Sequence, residues 1–424
     1  MALSVPAPFW GINCLCWFAY ISAYFGRVNL SIALPYLHDS YGYSNASLGA
    51  VASGFFVAYA AGQLINGFLG DHFNPRFFVS IGLALAGLSN ILFGFSRHLA
   101  FLFLFWTING YVQSMLWGPL VRVVSDSTPG KYLSRATLFF SSSTIFGYLF
   151  SYTLVGRITL VLGWKMAFFI PGVILILAAA VWFVSYKPSP AALSADESAA
   201  DKNAGTESAA SKDIPGKGPA GIKLRVWGLD VFGFLVRTRL WIAALVCMLE
   251  GSLKEGLTLW GPTFFSGFQK LPLDRALFLM SLVPLMNCAG LAASGIAYKY
   301  FRHQEKRALV LFMSIALALA LLLRITAGLN FVLMDIAFFA LLAVILATNN
   351  ILTAFVPLNF KKERRVSAAA GSLDCAVYIG AAASGPLAGF LADTSGWPGI
   401  MNGWIGVCAV AVLCAAFSRN YKHS

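Results

Sequence analysis

The sequence predicts an all-α membrane protein of about twelve transmembrane helices in two six-helix halves, and three observations carry that expectation. The chain is 58% hydrophobic and 11% charged over 424 residues, whereas a soluble chain carries about twice that share of charge. Apolar runs of about twenty residues recur from end to end, each long enough to cross a hydrocarbon core roughly 30 Å thick as a helix. Runs such as 81–95 and 308–323 are apolar on every face, which excludes the short alternating segments of a barrel.

In order, the expected spans of the first half are 9–36, 47–69, 77–95, 99–123, 134–160 and 164–186. Those of the second half are 240–266, 276–300, 308–326, 330–357, 366–392 and 398–417. No basic stretch precedes the first apolar run, so span 1 is expected to stay in the membrane rather than be cleaved as a leader. The stretch KPSPAALSADESAADKNAGTESAASKDIPGKGPAG between the sixth and seventh spans has no aromatic residue and too little apolar surface to fold, which marks a linker. After it, IKLRVWGLDVFGFLVRTRLW mixes basic and apolar residues, as a helix lying in the interface would. The expected organisation is a six-helix bundle at 1–187, a cytoplasmic linker with an interfacial helix at 188–238, and a second six-helix bundle at 239–424.

The net charge of +13 is a topology signal rather than a nucleic-acid footprint. Lys and Arg fall into alternate loops (Arg76; Lys131 and Arg135; the 187–239 stretch; Lys299 to Arg307; Lys361 to Arg365; the C-terminal tail). That asymmetry places both termini in the cytoplasm of a multi-pass cell-membrane protein, plasma or inner. All seven cysteines lie in apolar spans without metal spacing and read as packing residues. The five histidines fall in loops or at the tail, with no nucleophile nearby, and no glycine-rich phosphate loop is present. Catalysis, a bound metal, a cofactor and ATP-driven transport are therefore not expected.

Function must lie with the few polar residues inside the spans. An Arg at mid-bilayer costs about 2.5–3.5 kcal/mol on the lenient scale, yet Arg27 lies more than a dozen residues into span 1. Tyr20, Tyr24 and Arg27 share one helix face, and a guanidinium beside phenols suits a tetrahedral oxyanion or a carboxylate. The alternatives are snorkelling to an interface or pairing with a fixed carboxylate. Span 7 carries Glu250, Lys254 and Glu255. Glu250 and Lys254 are four apart in the favourable order, so an intrahelical pair competes with a substrate role for the lysine. Asp374 and Tyr378 share a face in span 11. The aspartate neutralises Arg27 or Lys254, carries a coupling proton, or is a structural ion, and Glu250 is a second coupling candidate. The polar clusters Ser141–Thr144 with Tyr148, and Asn349, Asn350 and Thr353, either add hydrogen-bonding groups to a cavity or bond helix to helix.

The halves echo each other. RVNLSIALPYL from Arg27 and KEGLTLWGPTF from Lys254 each have a cation, a hydroxyl residue four later (Ser31, Thr258) and a proline eight later (Pro35, Pro262). Repeated halves with a polar site at their junction are a common plan of secondary transporters.

The stretch GFLGDHFNPRFF, with Gly67, Asp71 and Arg76 in a G-x-x-x-D-x-x-x-x-R pattern, resembles the loop signature of the major facilitator superfamily. Together with YISAYFGRVNLSIALPYL, QSMLWGPLVR, LKEGLTLWGPTFF and FKKERRVSAAAGSLD, it resembles the organophosphate:phosphate antiporters, which include glycerol-3-phosphate and hexose-6-phosphate transporters. The resemblance implies a major facilitator fold. It also implies a rocker-switch carrier gripping phosphate through Arg27 and the basic residue at Lys254, with Tyr20 and Tyr24 on the family's aromatic positions. Gly67, Asp71 and Arg76 would then form a conformational latch. The chain departs from the family at Lys254, where arginine is usual, in SSSTIFGYL, which lacks a histidine, at Gln63, and in the added Asp374. These changes make a less cationic cavity, better suited to a carboxylate or a monoanionic ester.

The expected function is transport of a small organic anion, a phosphate ester exchanged for inorganic phosphate, by a monomer. The alternatives are proton-coupled symport of a sugar acid or carboxylate, and a non-transporting sensor of a sugar phosphate.

Overall fold

The computed structural model describes residues 7–187, 237–238, 240–302, 304–360 and 366–418. These are helical almost throughout, with no strand among the described residues, because a backbone in hydrocarbon can only satisfy its polar groups internally. Spans 1 to 3 are Ala7–Tyr41, Asn45–His72 and Pro75–Phe95. Span 4 is Leu99–Ser127, span 5 covers 130–162, and span 6 is Met166–Ser185. Span 7 covers 240–268, and spans 8 to 10 are Leu273–Tyr300, Glu305–Thr326 and Phe331–Leu358. Spans 11 and 12 form one helical run, Val366–Phe417, broken at Gly396, where φ is +62°. Only glycine takes that conformation without strain, and it turns the chain back across the bilayer.

Local chemistry sets several boundaries. Ser44 caps span 2 by accepting from the Ser47 N–H at 3.2 Å. Asn74 caps span 3 by accepting from the Arg76 N–H at 2.9 Å, with Pro75 in the first turn, where its missing donor costs nothing. Spans 5, 7 and 10 each contain a wide π-type turn, at Ser151–Val155, Phe264–Phe268 and Ile351–Phe355. Such turns are frequent near functional sites.

By length and composition, nine helical stretches among the described residues are apolar enough to cross a bilayer. The helices bearing Arg27 and Lys254, Ala7–Tyr41 and Leu240–Thr263, are not among those nine. Polar residues are thus concentrated in the two helices that the halves bring face to face.

The halves meet on the far side of Arg27 and Lys254, toward the end of the bundle opposite the linker. Ser31 Oγ donates to the carbonyls of Leu259 at 2.9 Å and Thr258 at 3.1 Å, and the Tyr152 hydroxyl donates to Thr258 O at 3.1 Å. The echoed segments after each cation therefore touch. Spans 2 and 11 pack backbone to backbone: a Cβ on Gly49 would run into the Gly385 carbonyl, and one on Gly389 into that of Asn45. Ser53 Oγ donates to Ala382 O. At the rim, the Asp393 carboxylate accepts from the N–H groups of Asn45 (3.1 Å) and Ala46 (2.9 Å) and from Asn45 Nδ2 (2.8 Å). It therefore sits on the electropositive start of span 2. Beyond this closure lies a vestibule of about 520 Å3 bordered by Asp39, Lys270 and Trp397.

Apart from Arg237 and Thr238, the expected linker and interfacial helix fall outside the described residues. Gly67 and Asp71 lie in the last turns of span 2, but their surroundings are also outside the described part. Arg76 is turned to span 6: its Nε donates to Phe183 O at 2.7 Å, and its guanidinium carbon lies 4.3 Å from the Phe183 ring centre.

Candidate functional site

A cavity of about 200 Å3 lies between the halves, and both Arg27 and Lys254 line it. Each half thus contributes one cation to one space.

Arg27 is held from behind by neutral amides. Its Nε donates to Gln113 Oε1 at 3.0 Å. Gln113 Nε2 in turn donates to the Gly26 carbonyl at 3.0 Å and to Asn109 Oδ1 at 3.1 Å. Asn109 Nδ2 donates to Gly26 O at 2.7 Å, and Asn90 joins through Asn109 Oδ1 at 3.3 Å. Asn29 closes the network by donating to Asn90 Oδ1 at 2.8 Å and to Ala167 O at 2.9 Å. These four amides are fully buried and each is hydrogen-bonded, with Asn29 Oδ1 left without a partner, and a connected network of this kind holds one geometry. Gly26 is glycine because a Cβ there would lie 2.7 Å from both Asn90 Nδ2 and Leu175 Cδ1. The front of the guanidinium is caged by aromatic rings, its carbon lying 4.6 Å from the Tyr59 centre, 5.1 Å from Tyr24 and 5.6 Å from Phe55. Such contacts contribute about 0.5–2 kcal/mol each. Nη2 has no protein partner. An oriented, buried donor without an acceptor is what an anion would satisfy.

Lys254 is held differently. Its Nζ lies 3.4 Å from Glu255 Oε1, with the two side chains 17% and 11% exposed, and both residues line the cavity. The intrahelical Glu250–Lys254 pair, one of the two readings of span 7, does not form. Glu250 is fully buried and turned to span 10, where Asn349 Nδ2 donates to its Oε2 at 3.1 Å while Oε1 has no partner. The i, i+4 spacing aligned the two residues on span 7, but a donor on the neighbouring span captured the acid.

The remaining predicted residues divide. Tyr24 and Tyr378 line the cavity, and the Tyr378 ring lies 4.6 Å from that of Tyr59 across the halves. Tyr20 stands behind, with its ring 4.9 Å from Trp117 and 5.5 Å from Tyr24, and braces the cage rather than lining the space. Asp374 is one turn from Tyr378 toward the linker end and does not line the cavity, although Lys254 and Arg27 lie within its electrostatic reach. Of the polar clusters, Thr144, Tyr148 and Asn349 border the cavity. Ser142 instead accepts from Trp17 Nε1 at 3.0 Å, and Asn350 Nδ2 donates to Ser294 Oγ at 2.7 Å, both helix to helix. Sequence reasoning missed the amide network and Tyr59. The signal for the network was Asn109 and Gln113, an i, i+4 polar pair in an apolar span. No group of three or more potential metal ligands occurs among the described residues.

Comparison with known proteins places this geometry in context. The sequence profile of the Major Facilitator Superfamily matches residues 16–373. A probable hexose phosphate transport protein of Chlamydia muridarum is 34% identical over 42% of this chain, a segment covering 39% of that protein's length. The glycerol-3-phosphate transporter of Bacillus subtilis is 24% identical over 95% of this chain and 90% of its own. Among solved structures, a bacterial homologue of the human lysosomal transporter Spinster, captured inward-facing and unoccupied, superposes with a TM-score of 0.75 at 15% identity. That match covers 98% of this chain and 97% of the other. With twelve spans in two halves around a central cavity and a family match across most of its length, the chain belongs to the Major Facilitator Superfamily.

Proposed function

We propose that this protein is a secondary active transporter that moves a small organic anion, a phosphate ester, by alternating access. The observation that carries the proposal is that Arg27 and Lys254, one from each half, border a single cavity sealed at one end by contacts between the halves. An anion bridging them couples occupancy to the relative position of the halves, which is the requirement for a carrier. The relatives named as hexose phosphate and glycerol-3-phosphate transporters support the phosphate ester as substrate class. Exchange for inorganic phosphate, residence in the bacterial inner membrane with both termini cytoplasmic, and action as a monomer complete the reading. In that orientation the sealed end faces outward and the cavity belongs to the inward-open half of the cycle.

Proton-coupled uptake of a carboxylate is the second reading. It draws on the acids grouped at the second cation, Glu255 on the cavity and Glu250 behind it.

The test is counterflow of labelled glucose 6-phosphate and glycerol 3-phosphate in proteoliposomes loaded with phosphate. Counterflow is expected, lost in Arg27→Ala and largely lost in Arg27→Lys, which keeps the charge without the fork. Normal transport by Arg27→Ala contradicts the site. Binding without movement marks a sensor, and uptake that requires a proton gradient marks the second reading.

A further inference from the structure

Glu255 has no evident structural task. Its carboxylate lies 3.4 Å from Lys254 Nζ, and the contact from Thr258 Oγ1 to its Oε2 is also 3.4 Å, while that hydroxyl bonds more closely to Lys254 O at 2.9 Å. Neighbours in sequence do not face each other on a helix, so this pair forms only because both side chains bend into the cavity that they line. The charged residues lining the cavity are Arg27, Lys254 and Glu255. With Lys254 already matched, one positive charge remains uncompensated, and it belongs to the guanidinium whose Nη2 has no partner.

We infer that Glu255 is a specificity-determining residue of this cavity: as the resident counter-ion of Lys254, it restricts the site to oxyanions of single charge. A phosphate monoester then binds with one proton more than its dianion, that proton shared between a phosphoryl oxygen and the Glu255 carboxylate. The inference rests on the carrier reading of the same site. A dianion entering beside an ionised Glu255 leaves one negative charge in excess in a space walled by rings and aliphatic side chains, where such an excess is poorly tolerated. Glu250, fully buried one turn away, and Asp374 on span 11 do not line the cavity. The other titratable groups facing Glu255 are Tyr148 and Tyr152 of span 5, Tyr24 and Arg27 of span 1, and Tyr378 of span 11. The tyrosines are neutral and Arg27 is cationic at ordinary pH, so none of these groups replaces the carboxylate as the group that shares the ligand's proton.

A sulfate ester separates charge from shape, because it is tetrahedral and singly charged throughout the working pH range, whereas a phosphate monoester loses its second proton near about pH 6. The experiment measures Kd for glucose 6-sulfate and glucose 6-phosphate with full-length protein in nanodiscs, at about pH 5.5 and about pH 7.5. Wild type is expected to hold the sulfate with equal affinity at both values and the phosphate about twentyfold more weakly at the higher, following the fraction of monoanion. Glu255→Gln is expected to bind both esters more tightly and to shrink the phosphate change below about threefold, while Glu255→Asp keeps it. The inference is overturned if phosphate affinity is flat in wild type, or if it falls equally in wild type and Glu255→Gln. If neither ester binds wild type, or if Arg27→Ala binds both normally, the carrier reading itself fails.

Discussion

The two cations on the cavity are held in opposite ways. Arg27 of the first half is locked by neutral amides, Gln113 on its Nε and Asn109, Asn90 and Asn29 behind, so its charge is oriented and uncompensated. Lys254 of the second half is a flexible side chain resting on the acid next to it in sequence, with a second acid buried one turn away. An amide network keeps one geometry whatever the ligand, whereas a lysine on a carboxylate can exchange that partner for a stronger anion. The difference suggests a division of labour, with the first half as fixed anchor and the second as the adjustable arm that responds to occupancy.

If so, the two sites respond unequally to loss. Arg27→Ala removes an oriented donor that nothing replaces and is expected to weaken glucose 6-phosphate binding by about 1.5–3 kcal/mol or more. Lys254→Ala also frees Glu255 to face the ligand, whereas Lys254→Arg restores a fork and is expected to bind at least as well as wild type. Isothermal titration of these three variants and of Arg27→Lys checks that order, and near-wild-type affinity in Arg27→Lys, which keeps the charge without the fork, would remove the anchor argument. Next in size is Gln113→Ala. It touches Arg27 from the side away from the cavity and is expected to cost about tenfold in affinity by letting the guanidinium wander, with substrate-independent loss across phosphate and sulfate esters. The smallest effect belongs to the closed end. Asp393→Ala removes three acceptor contacts at the start of span 2. It is expected to lower Tm by a few degrees and to raise the labelling of a cysteine placed at Ser53, about 1 kcal/mol of bias toward opening.

The spans were legible because hydrocarbon admits one backbone solution, and runs of about twenty apolar residues announce it. The expected spans 366–392 and 398–417 left 393–397 between them, and the structure turns the chain at Gly396 within that gap. Arg27 and Lys254 were legible as costly charges, and the Ser31 and Thr258 echo was legible as a repeat, whereas the contact between the two echoed segments is seen only in the structure. Partnerships were not legible. Glu250 pairs with Asn349, a residue 99 positions away on span 10, and the choice between Glu250 and Glu255 for Lys254 depends on which way a side chain leans, which helical spacing does not encode. The amide network draws on spans 1, 3 and 4, and only the Asn109 and Gln113 pair stands out within its own segment. Gly26, with no side chain to announce a role, is the backbone seat of that network.

The central claim is that Arg27 and Lys254 hold the same anion. A double-mutant cycle on Kd for glucose 6-phosphate, using wild type, Arg27→Gln, Lys254→Gln and the double variant, tests it most directly. The account predicts that the two losses fail to add by at least about 1 kcal/mol, since a ligand released by one cation no longer reports on the other. Losses that add to within about 0.3–0.5 kcal/mol would mean two independent charges and no shared site.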